Sequence, residues 1–366
     1  DVYTGGYTVH TTMNMKHQSA AQDIMQRYIT WANNSYNRTR SSRRTSAAST
    51  YIPMTELLSL VFDIPQLKIS EQRNEVVTMA AFKNTVNPTL DVLSLMFGIE
   101  ELKIDVVNRV NAQTTETRKK NKIEGTMVAL ENATGYITAL VGGSEYGQDN
   151  QFIRAVQAKL QPGSSFKPLY YTAAIASKKV TATSVIYDVP TIFKKDDGSL
   201  YIPQNNKGEW YGPVQLWYAL TRSMNVPSLK ILRDIGFDAA INQAGALLGL
   251  KPEEYAERKL EKVYPVGLGV CSVRPIEMAR AFAIFANQGK EVVPMAIRSV
   301  EDRNGKVILN PERDIRLAQQ AKGDAAQIIS PQTAYIMTDL LTNTVTHPKG
   351  TLGYGSNWGK KMQYKD

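Results

Sequence analysis

A serine hydroxyl becomes a nucleophile only when a base removes its proton, and a lysine amine can be that base only when it is neutral. The segment QPGSSFKPLYYTAAIASKK brings both groups within one helical turn. Pro162 and Gly163 break the preceding chain, Ser164 stands where a helix would begin, and Lys167 follows three residues later. Positions i and i+3 share a helix face, so the amine can lie beside the hydroxyl. Phe166, Leu169 and Tyr170 would desolvate Lys167 and lower its pKa. The helix N-terminus would favour a developing alkoxide. An S-x-x-K spacing alone is also ordinary capping chemistry, a serine at a helix start followed by a surface charge. A second box, Ser223-Met224-Asn225, lies between the helical patterns VQLWYALTR and PSLKILRDI. Its Ser and Asn, two apart on a short interhelical loop, can point together into a cleft, or else cap a helix.

These boxes need elements to hold them. YTVHTT alternates as a strand does, and a helical period runs from about Lys16 to Trp31. Residues 33–50 lack apolar periodicity and have the composition of a flexible loop. From Met54 to about Val110 helix-like segments are punctuated by Pro53, Pro65 and Pro88, a small helical module without a catalytic constellation. GTMVALENATGYITALVGG predicts a β-hairpin turning at Asn132–Gly135, and VVPMAIRSVEDRNGKVILN a second turning at Arg303–Gly305. Helical patterns dominate between Lys167 and Phe285. Strands at both ends with helices between them make an α+β layered domain. The organisation is thus 1–30, a strand and helix leading in; 31–120, a basic loop and helical insertion; and 121–366, the main domain.

Composition narrows the function classes. The formal charge is +9, from 43 Lys and Arg against 34 Asp and Glu. Much of the excess sits in Arg38, Arg40, Arg43, Arg44 and in Arg118, Lys119, Lys120, Lys122, without the interleaved aromatics that stack bases. No nucleic-acid partner is expected. The single cysteine, Cys271, has no disulfide partner and reads as packing before a helix. His10, His17 and His347 are scattered and give neither a triad nor a metal cluster, so neither metal nor cofactor is expected. No run of 18 apolar residues appears, and an anchor, if the protein has one, is expected upstream of Asp1. The stripe Ile276, Ala279, Ala283, Ile284 reads as helix core, and Trp210 and Tyr211 as lining or flooring the cleft.

In order and flanks, the two boxes resemble those of the class A penicillin-binding proteins, whose transpeptidase domains carry S-x-x-K, S-x-N and K-T-G in that sequence. YTVHTT is similar to the family's leading strand, MVALENATGYITALVGG to its opening hairpin, and QPGSSFKP to its first box. LGVCSVRPIEMARAFAIFANQGK and PQTAYIMTDLLTNTV are similar to helices that come before the third box. The resemblance covers about residues 1–20 and 121–366. It implies an α+β penicillin-binding/serine β-lactamase-like transpeptidase fold, an antiparallel sheet with a helical subdomain. Ser164 would attack a D-alanyl-D-alanine stem peptide and form an acyl-enzyme that a second stem's amine resolves. Lys167 would take the Ser164 proton, Ser223 would relay a proton to the leaving group, and Asn225 would bind the substrate's amide backbone. The implied partners are peptidoglycan stem peptides, lipid-linked glycan strands, β-lactam antibiotics and other cell-wall synthesis proteins. The implied location is the extracytoplasmic, periplasmic face of the bacterial membrane, with an N-terminal anchor and a glycosyltransferase module preceding this chain.

The third box departs from the pattern. Lys349-Gly350-Thr351 has similar letters in another order, and no K-T-G precedes Asp366. The fold is therefore expected to be truncated before the K-T-G strand, which would supply one oxyanion-hole amide, the other being the Ser164 N–H. Loss of one such donor costs roughly 10²- to 10³-fold in rate. Two alternatives use the same residues: hydrolysis, as a D,D-carboxypeptidase or β-lactamase, and a non-catalytic penicillin-binding sensor or scaffold.

Overall fold

The computed structural model describes residues 5–44, 122–147, 151–195, 197–205 and 208–352. The chain forms two compact units, residues 1–22 with 126–366, and residues 23–125. The helical module expected over Met54–Val110 lies outside the described residues. Of the second unit, the described part is one stretch of helix and residues 122–125. There the Asn33 side chain accepts from the Ile123 N–H at 2.8 Å and donates to its carbonyl at 2.9 Å.

The opening strand β1 (Thr8–Thr11) is part of a sheet. It pairs antiparallel with β8 (Ile297–Glu301), Thr8 opposite Glu301 and Val9 opposite Val300. Strand β9 (Val307–Leu309) completes the order β1-β8-β9. The turn between β8 and β9 falls at residues 302–306, where the hairpin was expected; Asp302 accepts from the Asn304 and Lys306 N–H groups. The first hairpin likewise forms, β2 (Met127–Leu130) against β3 (Ile137–Val141). Buried Thr12 joins the two sheets: its hydroxyl lies 2.9 Å from the Ile137 carbonyl and 2.8 Å from that of Met295.

Helix α1 spans Met15–Arg44, so the helix continues through Asn33–Arg44, where composition pointed to a loop. Polar residues without an apolar stripe give no period to detect, yet none of them forbids helix.

The core of the first unit is helical. Helix α2 (Arg154–Gln157) is one turn, and α3 (Lys167–Ala176) buries nearly all of its residues. A helix apolar on every side belongs inside a larger body. Around it lie α4 (Leu216–Thr221), α5 (Asn225–Ile235), α6 (Phe237–Leu248), α7 (Pro275–Ala286) and α9 (Pro331–Thr346), the last preceded by the surface helix α8 (Pro311–Lys322). Leu169, Tyr170, Leu229, Leu232, Leu247, Ile284 and Met337 are fully buried in the shared core. Each such side chain contributes about 1.5–3 kcal/mol by burial. In α7 the buried apolar set is Ala281, Ala283, Ile284 and Phe285, beside buried Arg280, whereas Ile276 and Ala279 stay partly exposed, which shifts the expected stripe towards the helix end. Between α3 and α4 the chain also forms two short antiparallel ladders. These are β4 (Val185–Asp188) with β7 (Gly212–Gln215), and β5 (Phe193–Lys194) with β6 (Leu200–Tyr201). Strands of two to four residues are too short to show a period of two. With antiparallel pairing throughout its ladders and a helical core, the unit is α+β.

Candidate active site

Ser164 lies in a 3-10 turn, Gly163–Phe166, which runs directly into α3. The tight turn follows from Gly163, whose φ of +58° only glycine adopts without strain. Gly269, also left-handed at φ +78°, backs this turn so closely that a Cβ there would fall 2.0 Å from the Gly163 carbonyl oxygen. Ser164 is solvent-exposed. The first N–H groups of a helix have no partner within it, and Ser164 occupies that position, with the axis of α3 behind it.

Lys167, one turn on, is fully buried. Phe166, Leu169 and Tyr170 surround the start of α3 as the sequence implied, and burial lowers the amine from its ordinary value to about 7. Its hydrogen bonds run to the second box. Nζ lies 2.8 Å from the Ser223 carbonyl, 2.9 Å from Asn225 Oδ1, 3.2 Å from the Met224 carbonyl and 3.3 Å from Ser223 Oγ. Lys167, Ser223 and Asn225 are therefore in direct contact. Ser164 is one turn before Lys167 and its carbonyl accepts from the Lys167 backbone N–H, but its hydroxyl makes no hydrogen bond to any of the three.

The second box owes its position to how α4 ends. The Ser223 N–H donates to the Leu220 carbonyl and the Met224 N–H to that of Ala219, both at 2.9 Å. This pair of bonds is a Schellman closure, which places a left-handed residue at the position where glycine is favoured. Ser223 fills it at φ +53°. The closure turns the Ser223 and Met224 carbonyls towards Lys167, and α5 starts at once with Asn225. The Asn225 amide is divided: Oδ1 accepts from Lys167, and Nδ2 donates to the Gln204 carbonyl at 2.9 Å, leaving its second N–H.

Sequence reasoning missed the residues that hold Asn225. Asn205 accepts from the Asn225 N–H at 2.9 Å and donates to Asp188 at 2.6 Å. Neither residue has a spacing relation to the boxes: Asp188 ends β4, and Asn205 lies in the segment between β6 and β7. The near-match Lys349-Gly350-Thr351 is a turn capping α9, where the Gly350 N–H donates to the His347 carbonyl at 2.8 Å. His347 packs edge-on against Trp217 and Tyr218, and the Thr351 N–H donates to the Thr221 carbonyl near the end of α4 at 3.3 Å. Cys271 is buried, its thiol pushed up to about 12 by desolvation, which fits packing. Tyr211 donates to Glu209 and accepts from Arg222, whose guanidinium also lies over its ring.

Residues 125–363 match the transpeptidase domain of penicillin binding proteins. The chain belongs to that family. The relatives are of the class A, 1A type: penicillin-binding protein 1A of Neisseria gonorrhoeae is 30% identical over 365 residues, 94% of this chain and 44% of the relative. Penicillin-binding protein 1A of Pseudomonas aeruginosa is 35% identical over 205 residues, 55% of this chain and 24% of that protein. The crystal structure of penicillin-binding protein 1A from Haemophilus influenzae superposes with a TM-score of 0.54 at 28% identity, over 63% of this chain and 37% of that one. The chain thus spans less than half the length of the curated relatives it matches over nearly all of its own residues.

Proposed function

We propose that this chain is the acyl-transferring part of a D,D-transpeptidase that crosslinks peptidoglycan stem peptides through a Ser164 acyl-enzyme and is inhibited by β-lactams. The observation that carries this reading is the environment of Lys167, a buried amine with a pKa of about 7 held against the Ser223 and Asn225 side chains. An amine with that pKa is substantially neutral near pH 7, so it can accept a proton there. The neutral form has two N–H groups and one lone pair. Its two shortest contacts, to the Ser223 carbonyl and Asn225 Oδ1, take the N–H groups, and taking the Ser164 proton requires the lone pair to turn to that hydroxyl from the Met224 carbonyl and Ser223 Oγ, 3.2 and 3.3 Å away.

In the acylation step Lys167 takes the Ser164 proton as Oγ attacks the D-alanyl carbonyl. The tetrahedral oxyanion is met by the Ser164 N–H, with the helix start behind it. The proton then passes from Lys167 through the Ser223 hydroxyl to the departing D-alanine nitrogen. The free Asn225 N–H holds the substrate's amide carbonyl. A second stem's amino group resolves the acyl-enzyme by the reverse sequence. The reaction places the domain outside the cytoplasmic membrane, where peptidoglycan strands are joined; the glycan-polymerising module, the anchor and the other cell-wall synthesis proteins belong to the same proposal.

Intact-mass measurement after incubation with a penicillin tests it. One adduct per chain on the natural full-length protein, absent from its Ser164→Ala variant, is the outcome required. A folded protein that takes no adduct overturns the transpeptidase reading and favours a non-catalytic scaffold. An adduct that clears rapidly in water without an acceptor amine favours hydrolysis.

A further inference from the structure

Helix α5 begins without a cap from its own neighbourhood: Met224, the residue before it, offers no side-chain acceptor. The cap comes instead from Asn205. Its Oδ1 accepts from the N–H groups of Asn225 at 2.9 Å and Val226 at 3.3 Å. Its Nδ2 donates to Asp188 Oδ1 at 2.6 Å and to the Glu209 carbonyl at 3.1 Å. Asp188, at the end of β4, is completely buried, and its second oxygen accepts from the Tyr211 N–H at 3.1 Å. A buried carboxylate is costly, and an N-cap needs none. What a carboxylate adds is direction. Having acceptors only, it admits one orientation of the facing amide, Nδ2 towards Asp188 and Oδ1 towards α5. The neighbouring Gln204 carbonyl meanwhile holds Asn225 Nδ2, so residues 204 and 205 fix both the main chain and the side chain of Asn225.

Resting on the reading of Lys167 and Asn225 above, we propose that Asn205 and Asp188 are positioning residues for the acylation step, setting Asn225 and through it the Lys167 amine. A shift of about 1 Å at such a site can cost roughly 10²-fold in rate. Asn205→Asp keeps the cap acceptor but sets two carboxylates face to face. Asp188→Asn lets the amide pair turn either way. The exchange Asp188→Asn with Asn205→Asp restores donor to acceptor between the two side chains and keeps the net charge, while the Glu209 carbonyl loses its donor.

The test is acylation by a fluorescent penicillin on the natural full-length protein, separating the acylation rate constant from the pre-acylation dissociation constant. Each single variant is expected to slow the acylation step roughly 10- to 100-fold, with a smaller rise in dissociation constant through Asn225, and the exchange to recover part of the loss. Singles that acylate at the wild-type rate overturn the proposal, as does a folded exchange variant that loses as much as the two singles multiplied. If a single fails to fold, the exchange decides; an exchange that fails as well marks the pair as a structural strut and also overturns it. A wild-type protein that is not acylated would instead sink the transpeptidase reading, a separable result.

Discussion

Lys167 and Ser223 meet twice: Nζ is 2.8 Å from the Ser223 carbonyl and 3.3 Å from its hydroxyl, because Ser223 holds the left-handed conformation that closes α4. The residue that would relay the proton thus also bends the chain so that its carbonyl faces the amine. These two duties have different optimal residues. Glycine suits the bend and serine the relay.

That conflict can be measured. Ser223→Gly and Ser223→Ala both delete the hydroxyl, but only alanine keeps the cost of a side chain at φ +53°. The glycine variant should be more stable than the alanine variant by about 1 kcal/mol in chemical denaturation. Both should acylate with penicillin roughly 10²-fold slower than wild type or worse. Equal stabilities would mean that the closure relaxes in the variants. Equal acylation in wild type and both variants would remove Ser223 from the reaction.

The pH dependence of acylation follows from the state of Lys167. In the proposed mechanism only the neutral amine accepts the Ser164 proton, so the penicillin acylation rate should rise with pH and level off above a midpoint near the Lys167 value of about 7. Stopped-flow or gel-based acylation at a series of pH values reads that midpoint. Lys167→Arg, which stays charged, should lose roughly 10²- to 10⁴-fold, the usual worth of a general base. A flat profile from pH 6 to 9 would exclude Lys167 as the titrating base.

The same burial has a stability signature. Lys167 falls from 10.5 to about 7 on folding, so between those values the unfolded chain binds a proton that the folded chain does not. Stability from this group therefore rises with pH across that window, and the full penalty, on the order of 5 kcal/mol, applies below pH 7. Relative to Lys167→Met, the wild type should gain stability between pH 7 and 10 and show no further change between 5.5 and 6.5. Urea unfolding of both proteins at each pH checks it; parallel stability curves would mean that the amine is hydrated.

Much of the site was legible because its chemistry is local. Ser164 and Lys167 lie within one turn, and their neighbours Phe166, Leu169 and Tyr170 already foretold a desolvated amine. The hairpin turns at Asn132–Gly135 and Arg303–Gly305 announced themselves through turn residues. What the sequence hid is non-local. That Thr8 faces Glu301, or that Asn205 caps α5 from another loop, depends on pairings that no periodicity encodes. The i, i+3 spacing lets the Lys167 amine lie beside Ser164 but says nothing of its hydrogen bonds to Ser223, Met224 and Asn225, because the chain reversal at Ser223 supplies carbonyls that a motif does not count. Asn33–Arg44 shows the opposite limit, a helix without an apolar face to reveal it.

The loop behind Ser164 bears on its placement. Gly269 closes the 3-10 segment Tyr264–Leu268 with φ +78°, and its Cα faces the backbone of Gly163 with no space for a side chain. Alanine there would carry two costs, the left-handed conformation and an overlap with backbone atoms that cannot rotate away. The Gly163–Phe166 turn must then move, and Ser164 rides on it. Gly269→Ala should lower stability by about 1–3 kcal/mol and slow penicillin acylation roughly 10²-fold at pH values where Lys167 is fully neutral. Gly163→Ala separates the two causes, since a Cβ at Gly163 meets open space and carries only the conformational cost at φ +58°. The order expected for acylation rate is wild type, then Gly163→Ala, then Gly269→Ala, with intact mass and thermal melting run on the same samples. If Gly269→Ala acylates as fast as Gly163→Ala, the close backbone approach is not what positions the nucleophile, and the rigidity of α3 must do so alone.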